Sequence, residues 1–376
     1  MAFIVLDTDK LKSNFMYLQE VFKSNDIKWS AVTKMLCGNK KYLQVLLDMG
    51  ITEVCDSRVT NLARIKAINP NVQTAYIKPP PRRSVNKIVE YADISYNTEY
   101  ETIKLLSKAA VQQNKVHKIV IMIELGELRE GVMRDEIIDF YAKVFMLPNI
   151  EVIGIGTNLA CMYGVLPYHD KLIQLSLYKQ LIEARFNRKI PFVSGGSSVT
   201  IPLIFQNLLP HGINHFRVGE TLFLGTDVYN NKPFEQMHND VFKLYAEIIE
   251  LTDKPTVPMG ELGHNLVGDK LEFEPDTQQS SSRAIIALGL LDIESTHLRP
   301  VDEHVQLVGE SSDMIVVDLG NNPRNYKVGD LLEFDMTYMG ILRVMNSEYV
   351  DRRLTGTPAV MGNELQEHDV QSTQIV

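Results

Sequence analysis

The sequence predicts a (β/α)8 TIM barrel followed by a mostly β C-terminal domain. Three observations predict it. From residue 28 to 225, eight short apolar runs alternate with longer stretches of helical spacing, and the runs end 19 to 39 residues apart. That interval suits one strand, one helix and two loops. After about residue 228 the helical spacing gives way to short strand-like runs separated by turn clusters. The chain has 376 residues, enough for two units at about 150 residues each. A doubly wound sheet is the competing arrangement, and periodicity alone does not separate the two.

Taken in order, Phe3–Leu6 is a strand that could join the C-terminal domain before the first barrel helix. The eight barrel runs are Lys28–Lys34, Glu53–Asp56, Val72–Lys78, Asp93–Asn97, Lys118–Gly126, Val152–Asn158, Phe192–Ser197 and Phe216–Gly219. Between them, Lys41–Met49, Thr98–Gln112, Arg134–Phe145 and Asp170–Phe186 repeat apolar residues at three and four, as amphipathic helices do. Thr98 with Glu101 forms a capping-box pattern. The barrel is expected over residues 8–228 and the β-rich domain over 229–353. In the latter, Phe242–Leu251, Ala284–Leu291, Val305–Val308, Met314–Leu319 and Leu331–Phe334 read as strands, without long helical periodicity. Residues 354–376 are polar and aperiodic, a flexible tail.

Composition narrows the function classes. Hydrophobic residues make up 45% and charged residues 23%, an ordinary globular balance. A net charge of −9 leaves no excess of cations for nucleic-acid phosphates and mildly favours a cationic small molecule. The three cysteines, Cys37, Cys55 and Cys161, lack CxxC spacing and point to a reducing cytoplasm. No apolar run has the length of a membrane span, and no signal-peptide pattern opens the chain.

Barrel active sites collect where strands end. Lys34 ends the first run; a partly desolvated lysine there is a Schiff-base nucleophile, although an ordinary snorkelling lysine fits the same position. The seventh run ends in Ser194-Gly195-Gly196-Ser197-Ser198 and the eighth in Arg217-Val218-Gly219-Glu220. Glycines let backbone amides converge on an anion, and these two loops are where such barrels hold phosphate. A lysine on strand one facing a phosphate site on strands seven and eight suggests pyridoxal 5'-phosphate across the barrel mouth. Asp56-Ser57-Arg58 and Lys78 could line that mouth, or be a helix cap and a surface lysine. Cys37 and Cys161 stand near it, though buried small hydrophobes are the commoner use of cysteine. Only His211 and His215 show HxxxH spacing, they lead into strand eight, and no metal site is expected.

These residues resemble the alanine racemase-like, fold-type III group of pyridoxal-phosphate enzymes. Ala31-Val32-Thr33-Lys34 looks like that group's lysine motif, Gly126-Glu127-Leu128-Arg129-Glu130-Gly131 like its Gly-x-x-Arg-x-Gly element, and Arg217-Val218-Gly219 like its Arg-Pro-Gly motif. The likeness runs from about residue 3 to 350. Within the group it is greatest to ornithine racemases, through Ala92–Ala110, Lys115–Val132, Val193–Ser198, Asn239–Gly263, Asp313–Asp318 and Tyr326–Asp330.

The resemblance implies an amino-acid racemase in which Lys34 binds the cofactor and exchanges a proton at Cα. It implies that Arg217 meets the cofactor's pyridine nitrogen, and that Ser197, Ser198, Gly219, the Glu220 backbone and Tyr338 take the phosphate. Arg129 would lie near the cofactor hydroxyl and the substrate carboxylate. Three departures stand out: Gly38 replaces a tyrosine four residues after the lysine and should widen the pocket, Asn158 replaces a histidine, and Leu290 replaces the tyrosine that serves as the second base. Asp292 and Asp313, on segments that face the neighbour's site in this group, are candidates for that acid–base role or for binding a distal ammonium. The resemblance thus implies a homodimer with shared sites. Other readings are a racemase of different or broad specificity, a decarboxylase or eliminase, and a non-catalytic cofactor carrier. Arg217 argues against decarboxylation, and the second domain against a single-domain carrier.

Overall fold

A computed structural model describes residues 1–264, 268, 270 and 279–356. Strand β1 (Ala2–Asp7) leads into helix α1 (Thr8–Ser24). Then follow β2 (Lys28–Val32), α2 (Lys40–Asp48), β3 (Glu53–Asp56), α3 (Val59–Ile68), β4 (Gln73–Tyr76), α4 (Val85–Tyr91), β5 (Ile94–Asn97) and α5 (Tyr100–Gln112). Next come β6 (His117–Met122), α6 (Ile137–Val144), β7 (Ile150–Gly156), α7 (His169–Phe186), β8 (Phe192–Ser197), α8 (Ile201–Phe205), β9 (His215–Val218) and α9 (Glu220–Leu224). Strands β2 to β9 are parallel and close into a barrel, with Lys28 of β2 registered on His215 of β9.

The fold is therefore the expected TIM barrel with a mostly β partner. Strands of such a barrel are covered on both faces, which is why they read as apolar runs. Inside, Val32, Cys55, Ala75, Ile94, Tyr96, Val120 and Met122 pack into one cluster. Outside, the helices bury one face each; α2, for instance, turns Tyr42, Leu43, Leu46 and Leu47 inward. The cap of α5 departs from the expected box. Glu99, not Thr98, is the N-cap, because its carboxylate reaches the amides of Glu101 at 3.2 Å and Thr102 at 3.0 Å.

After a small ribbon of β10 (Thr226–Asp227) and β11 (Lys232–Pro233), the chain enters an eight-stranded sheet. Its strands are β12 (Phe242–Pro255), β13 (Ser280–Ile286), β14 (Leu298–Pro300), β15 (Gln306–Glu310), β16 (Ile315–Asp318), β17 (Leu331–Met336), β18 (Asp351–Thr355) and the N-terminal β1. Long β12 organises it: the first half lies between β1 and β17, the second half pairs with β13, and the register shifts between Ile248 and Glu250. Strand β1 pairs antiparallel with β12 and parallel with β18. The short strands β10, β11 and β14 escape the sequence reading, as do two larger elements. Helix α10 (Tyr338–Asn346), capped by Thr337, interrupts the β region, and β18 extends beyond residue 353. The remainder of the expected tail, 357–376, lies outside the described residues. No helix among the described residues is long and apolar enough to cross a membrane.

The lower barrel interior is polar. His117, 2% exposed, sits at the start of β6 with its Nε2 2.7 Å from Ser95 Oγ. Burial pushes its pKa from 6.5 down to about 4. A lowered histidine pKa means that the fold prefers the neutral ring. Its contribution is therefore complete above pH 6.5 and lost as pH falls towards 4. The full loss amounts to about 3 kcal/mol. His117→Gln should lose less stability than the parent over that window in denaturant titrations; an unchanged acid slope would refute the assignment.

Candidate functional site

The C-terminal ends of the barrel strands surround a cavity of about 740 Å³. Of the predicted site residues, Lys34, Arg129, Asn158, Ser197, Ser198, Arg217, Gly219, Glu220 and Tyr338 line it. Ser57, Lys78 and Cys161 line it as well, whereas Cys37 does not.

Lys34 follows the end of β2 and opens a short 3-10 turn, Lys34–Leu36. The preceding Thr33 fixes that turn, since its hydroxyl donates to Asp56 Oδ2 at 3.0 Å. Asp56 is buried and also accepts from the Arg58 amide and Asn61. Burial raises the Asp56 pKa, opposed by those hydrogen bonds. Lys34 itself is exposed in this chain, which corrects the expectation of a desolvated lysine, because the turn carries it past the strand to the rim. Its Nζ stands 5.8 Å from the ring centroid of Tyr338, the first residue of α10. Burial and the charge of Glu220 raise the Tyr338 pKa. Burial raises that of Glu220, partly offset by Lys34.

Gly38 does not widen the cavity, contrary to expectation. It adopts φ +72°, and a Cβ there would stand 2.4 Å from Asn61 Oδ1 and 2.8 Å from Arg64 Nη1. The place of a larger side chain is taken by these two neighbours.

Arg217 is the buried cation of the site, 6% exposed. Its Nη1 donates to the Ser194 carbonyl at 2.9 Å and to the Ser194 hydroxyl, and its Nη2 to the Thr157 carbonyl at 2.7 Å. The guanidinium lies 5.3 Å from the Tyr96 ring centroid. Beside it, Ser198 Oγ accepts the amides of Gly219 at 3.4 Å and Thr221 at 3.2 Å, which ties the turn after β8 to the turn after β9. Ser197 forms a reciprocal cap with Thr200.

Arg129 belongs to a loop built by two glutamates. Buried Glu127 accepts the amides of Cys161 at 2.9 Å, Tyr163 at 2.8 Å and Val165 at 3.0 Å, so it fastens the loop after β7 to the loop after β6. Burial raises its pKa, but these hydrogen bonds prevail and lower it overall. Glu130 grips Arg129 through both Nε and Nη2, and Cys161 Sγ accepts from Nη1. The Glu130 pairing raises the Arg129 pKa. Glu130 lines the cavity too, and the sequence reading gave it no part in the site. Its signal was present, an acid standing between the arginine and Gly131.

Asp292 and Asp313 do not reach this cavity. They lie on two segments joined by Leu290 N–H to the Ser311 carbonyl and Leu291 N–H to the Ser312 carbonyl, both at 3.0 Å. Asp292 accepts from Ser347 Oγ at 2.6 Å, and exposed Asp313 from Ser312 Oγ at 2.8 Å. Leu291, 66% exposed, and Met314, 41% exposed, flank them. His215 proves to be a fully buried barrel residue, while His211 is exposed.

The alanine racemase, N-terminal domain, family model matches residues 6–227. The chain is 36% identical over 352 residues to ornithine racemase of Acetoanaerobium sticklandii, covering 93% of this chain and 99% of that one. It is 30% identical over 349 residues to lysine racemase of Thermotoga maritima, covering 93% and 97%. Its fold matches the crystal structure of alanine racemase from Bartonella henselae with covalently bound pyridoxal phosphate at a TM-score of 0.71 and 17% identity, over 94% and 99% of the chains. With the match spanning every barrel strand and both loops that frame the cavity, the chain belongs to the alanine racemase N-terminal domain family.

Proposed function

We propose that the chain is a pyridoxal-phosphate-dependent amino-acid racemase that interconverts L- and D-ornithine, or a similar basic amino acid. One observation carries this reading. A lysine, a buried arginine, a serine–glycine turn and a second glycine turn meet at one barrel-mouth cavity, in a chain 36% identical to a protein named ornithine racemase. The residues fit the cofactor. Four cations, Lys34, Lys78, Arg129 and Arg217, line the cavity against two carboxylates, Glu130 and Glu220, which favours an anionic phosphate. A Cβ on Gly219 would press on Val32 at 3.2 Å, so the absence of a side chain lets the backbone come close there.

Bound there, pyridoxal phosphate supplies an aldehyde that links to amines and a ring that acidifies the Cα–H of an amino acid. Lys34 would hold it and, once displaced by the substrate amine, accept or return a proton on one face of Cα. Arg217, a permanent cation, would meet the ring nitrogen and keep it unprotonated. That weakens electron withdrawal and favours return of the proton over transfer of the amino group. Ser197, Ser198, Gly219, the Glu220 backbone and Tyr338 would hold the phosphate. Asn158 offers an amide beside the Thr157 carbonyl that Arg217 grips. Arg129, steadied by Glu130, faces the substrate carboxylate.

Racemisation needs a proton donor on the opposite Cα face. We place it, or the receptor of the distal ammonium, on Asp292 or Asp313 of a second copy in a homodimer. Exposed Leu291 and Met314 beside these carboxylates support that arrangement. Identity of 30% to a lysine racemase supports lysine as the other substrate.

Incubation with pyridoxal phosphate in D2O against separate L-ornithine, L-lysine, L-arginine and L-alanine, followed by chiral chromatography with mass detection, tests the proposal. D-ornithine carrying one deuterium at Cα, with little product from alanine, is the expected result. Deuterium entering L-ornithine without a D product would overturn the racemase reading.

A further inference from the structure

Below Arg217 the barrel buries a carboxylate and a histidine that the proposed chemistry does not use. Glu53 opens β3 and His215 opens β9; His215 is fully buried and the Glu53 side chain is largely so. Ser30 Oγ donates to Glu53 Oε1. His215 Nε2 lies 2.8 Å from Ser30 Oγ and 3.2 Å from Glu53 Oε1, while its Nδ1 lies 2.8 Å from Ser194 Oγ. Ser194 Oγ in turn accepts from Arg217 Nη1.

The proton positions follow from the chemistry of the end groups. A carboxylate only accepts, so the Ser30 proton points at Glu53 and the Ser30 lone pair faces Nε2. Nε2 must then carry the ring proton, since both of its neighbours are acceptors. Burial lowers the His215 pKa, opposed by Glu53, which keeps the ring neutral and Nδ1 bare. Bare Nδ1 draws the Ser194 proton, and this turns the Ser194 lone pairs towards Arg217. Along this path every hydrogen bond thus runs one way, from guanidinium to carboxylate, and the Tyr96 hydroxyl lies beside it, 3.3 Å from Ser194 Oγ.

We propose that Glu53 is a positioning residue for Arg217: it fixes the tautomer of His215, which orients Ser194 as the acceptor that holds the guanidinium. The inference rests on the reading of Arg217 as the partner of the cofactor's ring nitrogen. Without Glu53, Ser30 is free to donate to Nε2, the ring proton moves to Nδ1, and the Ser194 proton is driven towards the cation.

The test uses the full chain labelled with 15N at histidine, together with a pyridoxal phosphate titration followed by absorbance. In the parent protein without cofactor, His215 should carry its proton on Nε2. Glu53→Ala should move it to Nδ1 and weaken cofactor binding about tenfold or more. Glu53→Gln keeps an acceptor oxygen and should rescue both readouts. Ser194→Ala should keep the parent tautomer yet show the same weakened binding. A proton on Nδ1 in the parent, or Glu53→Ala and Ser194→Ala variants with parental affinity, would overturn the relay. Equal losses in Glu53→Gln and Glu53→Ala would do the same, since a purely structural role predicts them. If the parent binds no cofactor, the racemase reading falls. The tautomers of the parent and Glu53→Ala then decide the relay alone.

Discussion

Lys34→Ala is expected to remove racemisation almost entirely, by about 10⁴-fold in turnover. It should also abolish the trapping of cofactor by borohydride. The size of the effect comes from two roles carried by one amine. In the proposed mechanism Lys34 would both form the covalent link to the cofactor and exchange the Cα proton on its own face. Its surroundings suit both roles. The amine stands at the cavity rim above the Tyr338 ring, and Glu220 approaches it with a half-buried carboxylate. Its exposure makes the experiment clean. The side chain makes no hydrogen bond among the described residues, so truncation should leave the thermal midpoint close to that of the parent. Mass spectrometry after reduction, with chiral assay of ornithine, provides both readouts. Cofactor still trapped in the variant would remove Lys34 from the centre of the mechanism.

The barrel was legible because its physics is local. Strands covered on both faces must be apolar along their length, and each is followed by a helix with one apolar face. The site was legible for a related reason, since a barrel gathers the ends of its strands into one mouth. Runs ending in Lys34, Ser197-Ser198 and Arg217-Val218-Gly219 therefore meet although nearly two hundred residues separate the first from the last.

What stayed hidden depends on long-range pairing. Nothing in its spacing says that Glu53 will meet His215; barrel closure of β2 on β9, next to β3, brings them together. Helix α10 is only nine residues long, too short for its period to stand out among strands. The exposure of Lys34 depends on where β2 stops, and strand ends are the least legible feature of a sequence. Asp292 lies on the connection between β13 and β14 and Asp313 on the turn between β15 and β16, away from the barrel strand ends that line the cavity.

Gly131→Ala is expected to have the second-largest effect, and to act through geometry alone. The loop that carries Arg129 leaves the end of β6 and returns to it at once. Its neck is closed by the Glu124 amide on the Val132 carbonyl at 3.1 Å and the Val132 amide on the Met122 carbonyl at 2.8 Å. Gly131 sits in that neck at φ +149°, where a Cβ would stand 2.2 Å from the Glu124 nitrogen and 2.6 Å from its Cα. Both are backbone atoms of a buried residue, so neither can swing away as a side-chain tip would. The methyl group must open the neck, at about 3 kcal/mol or more from strain and overpacking together. Opening the neck moves Arg129 and Glu130 as a pair, and with them the proposed contact to the substrate carboxylate. A displacement of about 1 Å at such a group lowers kcat/KM by about 10²-fold. Gly50→Ala provides the comparison. Gly50 also has a positive φ, +88°, but nothing lies within 4 Å of its added Cβ. That variant should lose only about 1 kcal/mol and keep parental kinetics. Denaturant titration and steady-state racemisation assays of the two variants separate a strained backbone from a crowded one. Should Gly131→Ala prove as mild as Gly50→Ala in both assays, the closed neck is not what aims Arg129.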